Sequence, residues 1–174
     1  KVARNFFLKN FSHTEEASNG SLPQRQGNQM KPLDYLKDMT VLLAEDDQCV
    51  RISTMKALEV FVRRVIAVED GVAALQHVNS GAVDIVILDI KMPQKSGLDV
   101  AREIRKRDEV TPIFIISSFN DREHLHQAIP LLLIDYLIKP LTFEQLKEAL
   151  LKSVDYLDKR GGLIFALGKE TSYN

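Results

Sequence analysis

Val83-Asp84-Ile85-Val86-Ile87-Leu88-Asp89 is the stretch on which the fold turns. Six residues of almost unbroken apolar character end on a carboxylate, and Met92-Pro93 and Gly97 follow at once. An unbroken apolar run of that length reads as a strand buried on both faces, as in a parallel sheet covered by helices. A carboxylate at its C-terminal end sits where open α/β sheets present their chemistry. Two similar runs end in the same way. Val41-Leu42-Leu43-Ala44 leads into Glu45-Asp46-Asp47, and Tyr136-Leu137-Ile138 leads into Lys139. Three strand ends would bring acid, acid and base into one pocket.

Outward from that stretch the pattern alternates. Strands are expected at 40–45, 64–68, 83–89, 112–117 and 135–138. The first helical pattern, 48–61, carries Val50, Thr54, Ala57, Leu58 and Phe61 on one face. The second follows Asp70-Gly71 and ends at Ser80-Gly81. The third starts near Ser96-Gly97 with Leu98, Ala101 and Ile104 inward, and the fourth starts near Asn120-Asp121. The fifth begins after Thr142, with Glu144 and Gln145 in its first turn, and is expected to bury Phe143, Leu146, Leu150, Val154 and Leu157. Five β/α repeats imply a doubly wound, five-stranded parallel sheet with right-handed crossovers, an α/β fold.

Composition excludes several classes. The chain has 174 residues, enough for one good domain with tails. Hydrophobic residues make up 45% and charged residues 27%, ordinary for a globular protein. A net charge of −1 argues against direct nucleic-acid binding and against a membrane-surface protein. No apolar run approaches the ~18 to 20 residues needed to span a bilayer, and no signal-peptide core follows Phe6-Phe7-Leu8. Cys49 is the only cysteine, so no internal disulfide forms, which suits a reducing compartment. A cytoplasmic location is expected.

The ends differ from the middle. Residues 1–38 read as a flexible arm or linker, with a short helix at 32–38 that has Pro32 in its first turn. Residues 39–158 form the expected domain, and 159–174 a tail or the stub of a further segment. Gly161-Gly162 is expected to stop the last helix, and Leu163-Ile164-Phe165-Ala166-Leu167 then reads as a short strand.

Glu45, Asp46 and Asp89 would lie close together. At about 4 Å and an effective dielectric near 20, each like-charge pair costs roughly 4 kcal/mol. A divalent cation relieves that repulsion. Hard oxygen ligands with room for water suit Mg²⁺, or Mn²⁺ in its place. Lys139 adds a compact cation opposite the acids, and Ser117, at the end of Ile113-Phe114-Ile115-Ile116, adds a hydroxyl. Carboxylates accept phosphoryl groups as aspartyl-phosphates, and such transfer needs positioning and charge neutralisation above all.

Residues 39–158 resemble the receiver domain of bacterial two-component response regulators. The resemblance rests on Val-Leu-Leu-Ala-Glu-Asp-Asp at 41–47, Asp70-Gly71, Asp89 with Met92-Pro93 and Gly97, Ser117-Ser118, and Asp135-Tyr136-Leu137-Ile138-Lys139-Pro140. Together and in order these motifs are highly specific. The resemblance implies the flavodoxin-like (βα)5 fold and gives each residue a role. Asp89 is the phosphoacceptor, Asp46 the direct metal ligand, and Glu45 the acid acting through metal-bound water. Arg51, five residues after Asp46, sets that register. The backbone carbonyl of Lys91 completes the metal site. Ser117 and Lys139 read the phosphoryl group, Tyr136 is the switch aromatic, and Lys139-Pro140 is a cis bond. Asp47 stands beside the pair as an additional acid. The implied activity is a phosphorylation-dependent switch and not a conventional turnover enzyme. The implied partners are a sensor histidine kinase, an output domain or protein, and a second copy binding through the face of the fourth helix, fifth strand and fifth helix.

Two departures from the family stand out. Lys91 places a long cation two residues past the acceptor. Ile129-Pro130-Leu131-Leu132-Leu133-Ile134 puts an apolar run where relatives carry a glycine and charges, and Pro130 should end or kink the fourth helix. That run reads as core or as an exposed contact patch. Arg102 to Glu109 reads as a solvated helix face, Cys49 as a buried or partly buried inert thiol, and His13, His77, His124 and His126 as surface residues. An aspartyl-nucleophile phosphatase is disfavoured because Lys91 stands where such enzymes carry a second acid. A degenerate receiver acting as a binding module is disfavoured by the intact Asp46, Asp89 and Lys139. A receiver fragment of a larger regulator or hybrid kinase stays open.

Overall fold

The computed structural model of the protein describes residues 32–108, 110–118 and 129–170. In chain order the elements are α1 (Pro32–Leu36), β1 (Thr40–Ala44), α2 (Gln48–Glu59), β2 (Arg64–Val68), α3 (Gly71–Asn79), β3 (Ile85–Asp89), α4 (Gly97–Arg105), β4 (Ile113–Ser117), a 3-10 turn (Ile129–Leu131), β5 (Asp135–Ile138) and α5 (Phe143–Glu170). The expected arm at 1–31 and the helix expected from Asn120 lie outside the described residues, as do His13, His124 and His126.

The strands form one parallel sheet in the order β2-β1-β3-β4-β5. The chain leaves β1 toward one edge and then continues from β3 toward the other. That reversal opens a crevice beyond the C-terminal ends of β1 and β3, where an open α/β sheet places its site. Because Ala44 pairs with Leu88, Glu45 and Asp89 emerge at the same height.

Alternation along the strands sends residues to two cores. Val41, Leu43, Ile85, Ile87, Phe114, Ile116 and Leu137 meet Leu36, Leu58, Leu146, Leu150, Val154 and Leu157 from α1, α2 and α5. Leu42, Ala44, Val86, Leu88, Ile113 and Ile115 meet Ala74, Leu98, Val100, Ala101 and Ile104 from α3 and α4. Both faces are covered, which is why the strands read as unbroken apolar runs. Each fully buried Leu or Ile contributes about 1.5 to 3 kcal/mol, so truncating Leu150, which has no exposed surface, removes one such anchor from α5. Leu36 is equally buried, so α1 belongs to the packed body although it precedes residue 39.

Helix starts follow local chemistry. Asp47, Asp70 and Ser96 cap α2, α3 and α4 by accepting from backbone N–H groups of their first turns. Thr142 and Gln145 form a reciprocal capping box at α5, with Gln145 N–H donating to Thr142 Oγ1 at 3.2 Å and Thr142 N–H to Gln145 Oε1 at 2.8 Å.

Several expectations are corrected. Residues 163–167 are helical, and Gly161-Gly162 does not stop α5. A glycine in a helix costs about 1 kcal/mol, whereas a lone five-residue strand would leave its backbone groups unpaired. Extending an existing helix needs no new nucleus. Phe143 is 46% exposed, because as the first helical residue it precedes the turns that meet the sheet. Cys49 is exposed, in the first turn of α2, on the side away from Thr54 and Leu58. The expected strand at 83–89 begins only at Ile85, because Asp84 turns its carboxylate back to accept from Thr40 N–H at 2.8 Å.

The charge-rich stretch after Arg102 is not simply a solvated face. Arg105 donates to the carbonyl oxygens of Leu131, Asp108, Thr111 and Leu132 at 2.8 to 3.2 Å. Asp108 accepts from the backbone N–H groups of Val110 and Thr111 and from the Thr111 hydroxyl. The apolar run at 129–134 divides: Leu131 is buried, Leu132 is 50% exposed, and Leu133 and Ile134 are half-buried. Leu132 also adopts φ of 48°, the left-handed region that glycine favours.

Candidate functional site

The site begins with β1. The N–H of Glu45 donates to Val68 O at 3.0 Å, continuing the ladder with β2 for one residue past the strand. The Glu45 side chain then points into the crevice and is fully buried. Asp46 follows and is exposed. Asp47 turns away, and its carboxylate accepts from Val50 N–H at 2.9 Å. Of the three consecutive acids, Asp47 therefore serves as a helix cap, and the group of mutually close carboxylate oxygens comprises Glu45, Asp46 and Asp89. One oxygen from each lies within 4.8 Å of the others.

Asp89 closes β3 and is 5% exposed. The loop behind it turns sharply. A Cβ on Gly97 would lie 2.2 Å from the carbonyl oxygen of Asp89, so only glycine fits there. Gly71 is equally confined, since a Cβ would meet the Lys95 carbonyl oxygen at 2.5 Å. These contacts give the Gly71 and Gly97 signals a physical cause: both hold the 90–96 loop against the acceptor strand. The N–H of Lys91 faces Asp89 Oδ1 at 3.4 Å.

Lys139 completes the arrangement from the end of β5. Its Nζ lies 2.6 Å from Asp89 Oδ2, 3.0 Å from Glu45 Oε1 and 2.8 Å from Glu45 Oε2. The Lys139-Pro140 peptide is cis. Lys139 N–H donates to Ser117 O at 2.9 Å, tying the ends of β4 and β5 together. Ser117 is 3% exposed and lies one residue beyond Ile116, the strand partner of Asp89. Tyr136 is half-buried against the α3–α4 core, and burial pushes its hydroxyl above the usual value.

Charge in this hollow is only partly balanced. Burial, the largest influence, pushes the Glu45 carboxyl above its ordinary value of 4.5; the hydrogen bond from Lys139 opposes this and the charge of Asp89 reinforces it. Burial alone would lower the Lys139 ammonium, but its hydrogen bonds and attraction to Asp89 and Glu45 outweigh that and raise it. Glu45 Oε2 is close to the ammonium yet outside hydrogen-bonding geometry, so this buried oxygen lacks a donor among the described residues. Three carboxylates against one lysine, with an orphaned oxygen, fit a hard divalent cation carrying water ligands. An open cavity of about 520 Å³, lined by Asp46, Lys91, Met92, Pro93 and Ser96, lies on the Asp46 side of the site.

The sequence-selected residues Glu45, Asp46, Asp89, Ser117, Tyr136 and Lys139 all lie at the C-terminal end of the sheet or on its last strand. Arg51, in the sequence only a register mark, also belongs to the site: its guanidinium donates to the backbone carbonyls of Glu45 and Asp46.

The family model of the response regulator receiver domain matches residues 41–151. The chain is 35% identical over 115 residues to the transcriptional regulatory protein CiaR of Streptococcus pneumoniae, covering 64% of this chain and 51% of that one. It is 30% identical over 129 residues to the probable C4-dicarboxylate response regulator DctR of Bacillus subtilis, covering 71% and 55%. Among solved structures, the REC domain of AraT, a response regulator from Geobacillus stearothermophilus, superposes with a TM-score of 0.64 at 27% identity, covering 70% of this chain and 97% of that one. A response regulator receiver protein from Sinorhizobium medicae superposes with a TM-score of 0.62 at 31% identity, covering 70% and 98%. The chain spans about half the length of the curated relatives it matches. No helix among the described residues is long and apolar enough to cross a membrane.

Proposed function

The chain belongs to the response regulator receiver domain family, and from that premise we propose that it takes a phosphoryl group from a sensor histidine kinase onto Asp89. The observation that carries this reading is the Lys139 ammonium 2.6 Å from Asp89 Oδ2, within a group of three carboxylates of which Glu45 and Asp89 are buried. A carboxylate oxygen of Asp89 bonds to phosphorus as the phosphorus–nitrogen bond of the kinase's phosphohistidine breaks. Lys139 stays against the acceptor and offsets the ~2 negative charges that arrive with the phosphoryl group. Glu45 and Asp46, with the backbone carbonyl of Lys91, would hold Mg²⁺ (or Mn²⁺), which supplies charge neutralisation to the phosphoryl oxygens. Asp47 is left with its capping role.

The consequence of phosphorylation is a population shift. The Ser117 hydroxyl turns toward the phosphoryl oxygens and Tyr136 moves with it. The short link between Ser117 O and Lys139 N–H supports this coupling, since it joins the two strand ends. The affected face is that of β5 and α5. It would bind an output domain or protein, or a second copy of the chain. Residues 39–158 act as the receiver unit, with Leu36 of α1 packed into its core, and the unit works in the cytoplasm. It promotes gain and loss of its own phosphoryl group without acting as a turnover enzyme.

Labelling with acetyl phosphate tests the reading. One phosphoryl group per chain is expected by intact mass in Mg²⁺, and none for Asp89→Asn. Equal uptake by the variant would overturn it.

A further inference from the structure

The carboxylates of the hollow are aimed by backbone that something must hold. Glu45 is fixed on its N–H side by the ladder bond to Val68 O at 3.0 Å. On its carbonyl side the strand has ended, and β1 gives way to a turn of three consecutive acids. Like charges in sequence repel, and an exposed turn of that kind has many alternative conformations. Among the described residues, no hydrogen bond or ion pair holds the Asp46 carboxylate itself, so its direction depends on its backbone.

Arg51 occupies that gap. It lies in the first turn of α2, its N–H donates to Asp47 O at 2.8 Å, and its side chain is only 15% exposed. The guanidinium Nη1 donates to Glu45 O at 2.6 Å and to Asp46 O at 2.9 Å. The helix that carries Arg51 is itself capped by Asp47. A closed ring results: the acid turn starts the helix, and the helix returns a guanidinium to the two carbonyls of the acid turn. Arg51 Nη2 lies 3.7 Å from the exposed Glu69 Oε2, a contact too long and too solvated to compete with the carbonyl grip.

We infer that Arg51 is a positioning residue for the divalent-cation site: it clamps the carbonyls of Glu45 and Asp46 so that both carboxylates converge with Asp89. This rests on the metal-assisted reading above. Arg51 is not a ligand. A guanidinium is the side chain suited to this work, since it is always charged and presents several donors in a rigid plane. An ammonium on a flexible stem has no such fixed fork.

The test is a calorimetric titration of the full chain with Mg²⁺, for wild type, Arg51→Met, Arg51→Lys and Asp46→Asn, with thermal melting in chelator alongside. Arg51→Met should weaken Mg²⁺ binding about tenfold, the range typical of residues that orient metal ligands. Arg51→Lys should restore part of the loss, and melting temperature in chelator should change little. In acetyl phosphate labelling, the Arg51→Met defect should appear as a higher Mg²⁺ requirement, with the maximal rate recovered at saturating Mg²⁺. Wild-type affinity in both Arg51 variants would overturn the inference, as would a lowered melting temperature with unchanged affinity. If Arg51→Met fails to fold, Arg51→Lys decides, by the same criterion. Failure of wild type itself to bind Mg²⁺, or unchanged binding by Asp46→Asn, would instead overturn the metal-assisted reading and this inference with it.

Discussion

The two ends of the sheet use charge in opposite ways. At the N-terminal end of β4, Arg105 donates to four backbone carbonyls and Asp108 accepts from two backbone N–H groups and a hydroxyl. Each charge there closes a loop onto backbone that would otherwise be unsatisfied. At the C-terminal end, Glu45, Asp46 and Asp89 face one another, Lys139 pairs with the carboxylates of Glu45 and Asp89, and a buried carboxylate oxygen is left without a donor among the described residues. The first arrangement stabilises the fold. The second is costly in the isolated protein and makes sense only if something positive joins it. Both ends carry charged residues, so charge content alone does not separate a scaffold from a site; what each charge is bonded to does.

The sharpest way to break this contrast is Lys139→Met. It leaves Asp89 and Glu45 buried without their cation, and breaking such a pair should cost about 3 kcal/mol in urea unfolding without Mg²⁺. Added Mg²⁺ should recover part of the loss. An unchanged urea midpoint would mean that the hollow is already solvated.

Asp108→Ala probes the other end. It strips the acceptor from Val110 N–H, Thr111 N–H and the buried Thr111 hydroxyl, with an expected loss of about 2 kcal/mol. Mg²⁺ affinity should not move, and a change there would dissolve the division between the two ends. The pH dependence has a definite sign. The folded value of Asp108 is depressed below 3.8: burial opposes this, but the Thr111 hydroxyl and two backbone N–H groups prevail. Its stabilisation is present above 3.8 and is lost as pH falls through the lower folded value.

Glu45→Gln should give the smallest effect and the opposite sign. The folded value of Glu45 is raised above 4.5, mainly by burial, so the fold is favoured while the carboxyl is protonated. That advantage is full below 4.5 and disappears as pH rises through the raised folded value. At neutral pH without metal, Glu45→Gln should therefore stabilise modestly and flatten this part of the pH–stability curve. With Mg²⁺ the advantage should shrink. Destabilisation without metal would show that the Lys139 pairing outweighs the burial cost.

Much of this was legible from residue patterns. The apolar runs at 41–44, 85–88 and 113–116 specify buried parallel strands because both faces are covered, and the acids and lysine were found because strand ends mark the crevice. Capping signals at Asp70, Ser96 and Thr142 located helix starts because a side-chain oxygen and its target N–H are close in sequence. The roles of Arg105 and Asp108 were hidden, because their partners are backbone atoms that carry no residue signature. Arg51 was hidden for the same reason. Asp47 and Asp46 are chemically equivalent side chains; the Arg51 register singled out Asp46, but the capping role of Asp47 shows only in the turn of the backbone. The 163–167 run misled because five apolar residues fit either periodicity, and extension of an existing helix outweighs two glycines.

The most direct test of the account is binding of beryllofluoride, a phosphoryl mimic, read by fluorine NMR on the full chain with and without Mg²⁺. A bound signal is predicted for wild type in Mg²⁺ alone, lost without the metal and absent in Asp89→Asn. A bound signal that persists in Asp89→Asn, or no signal from wild type in Mg²⁺, would contradict the claim that the hollow exists to seat a phosphoryl group on Asp89.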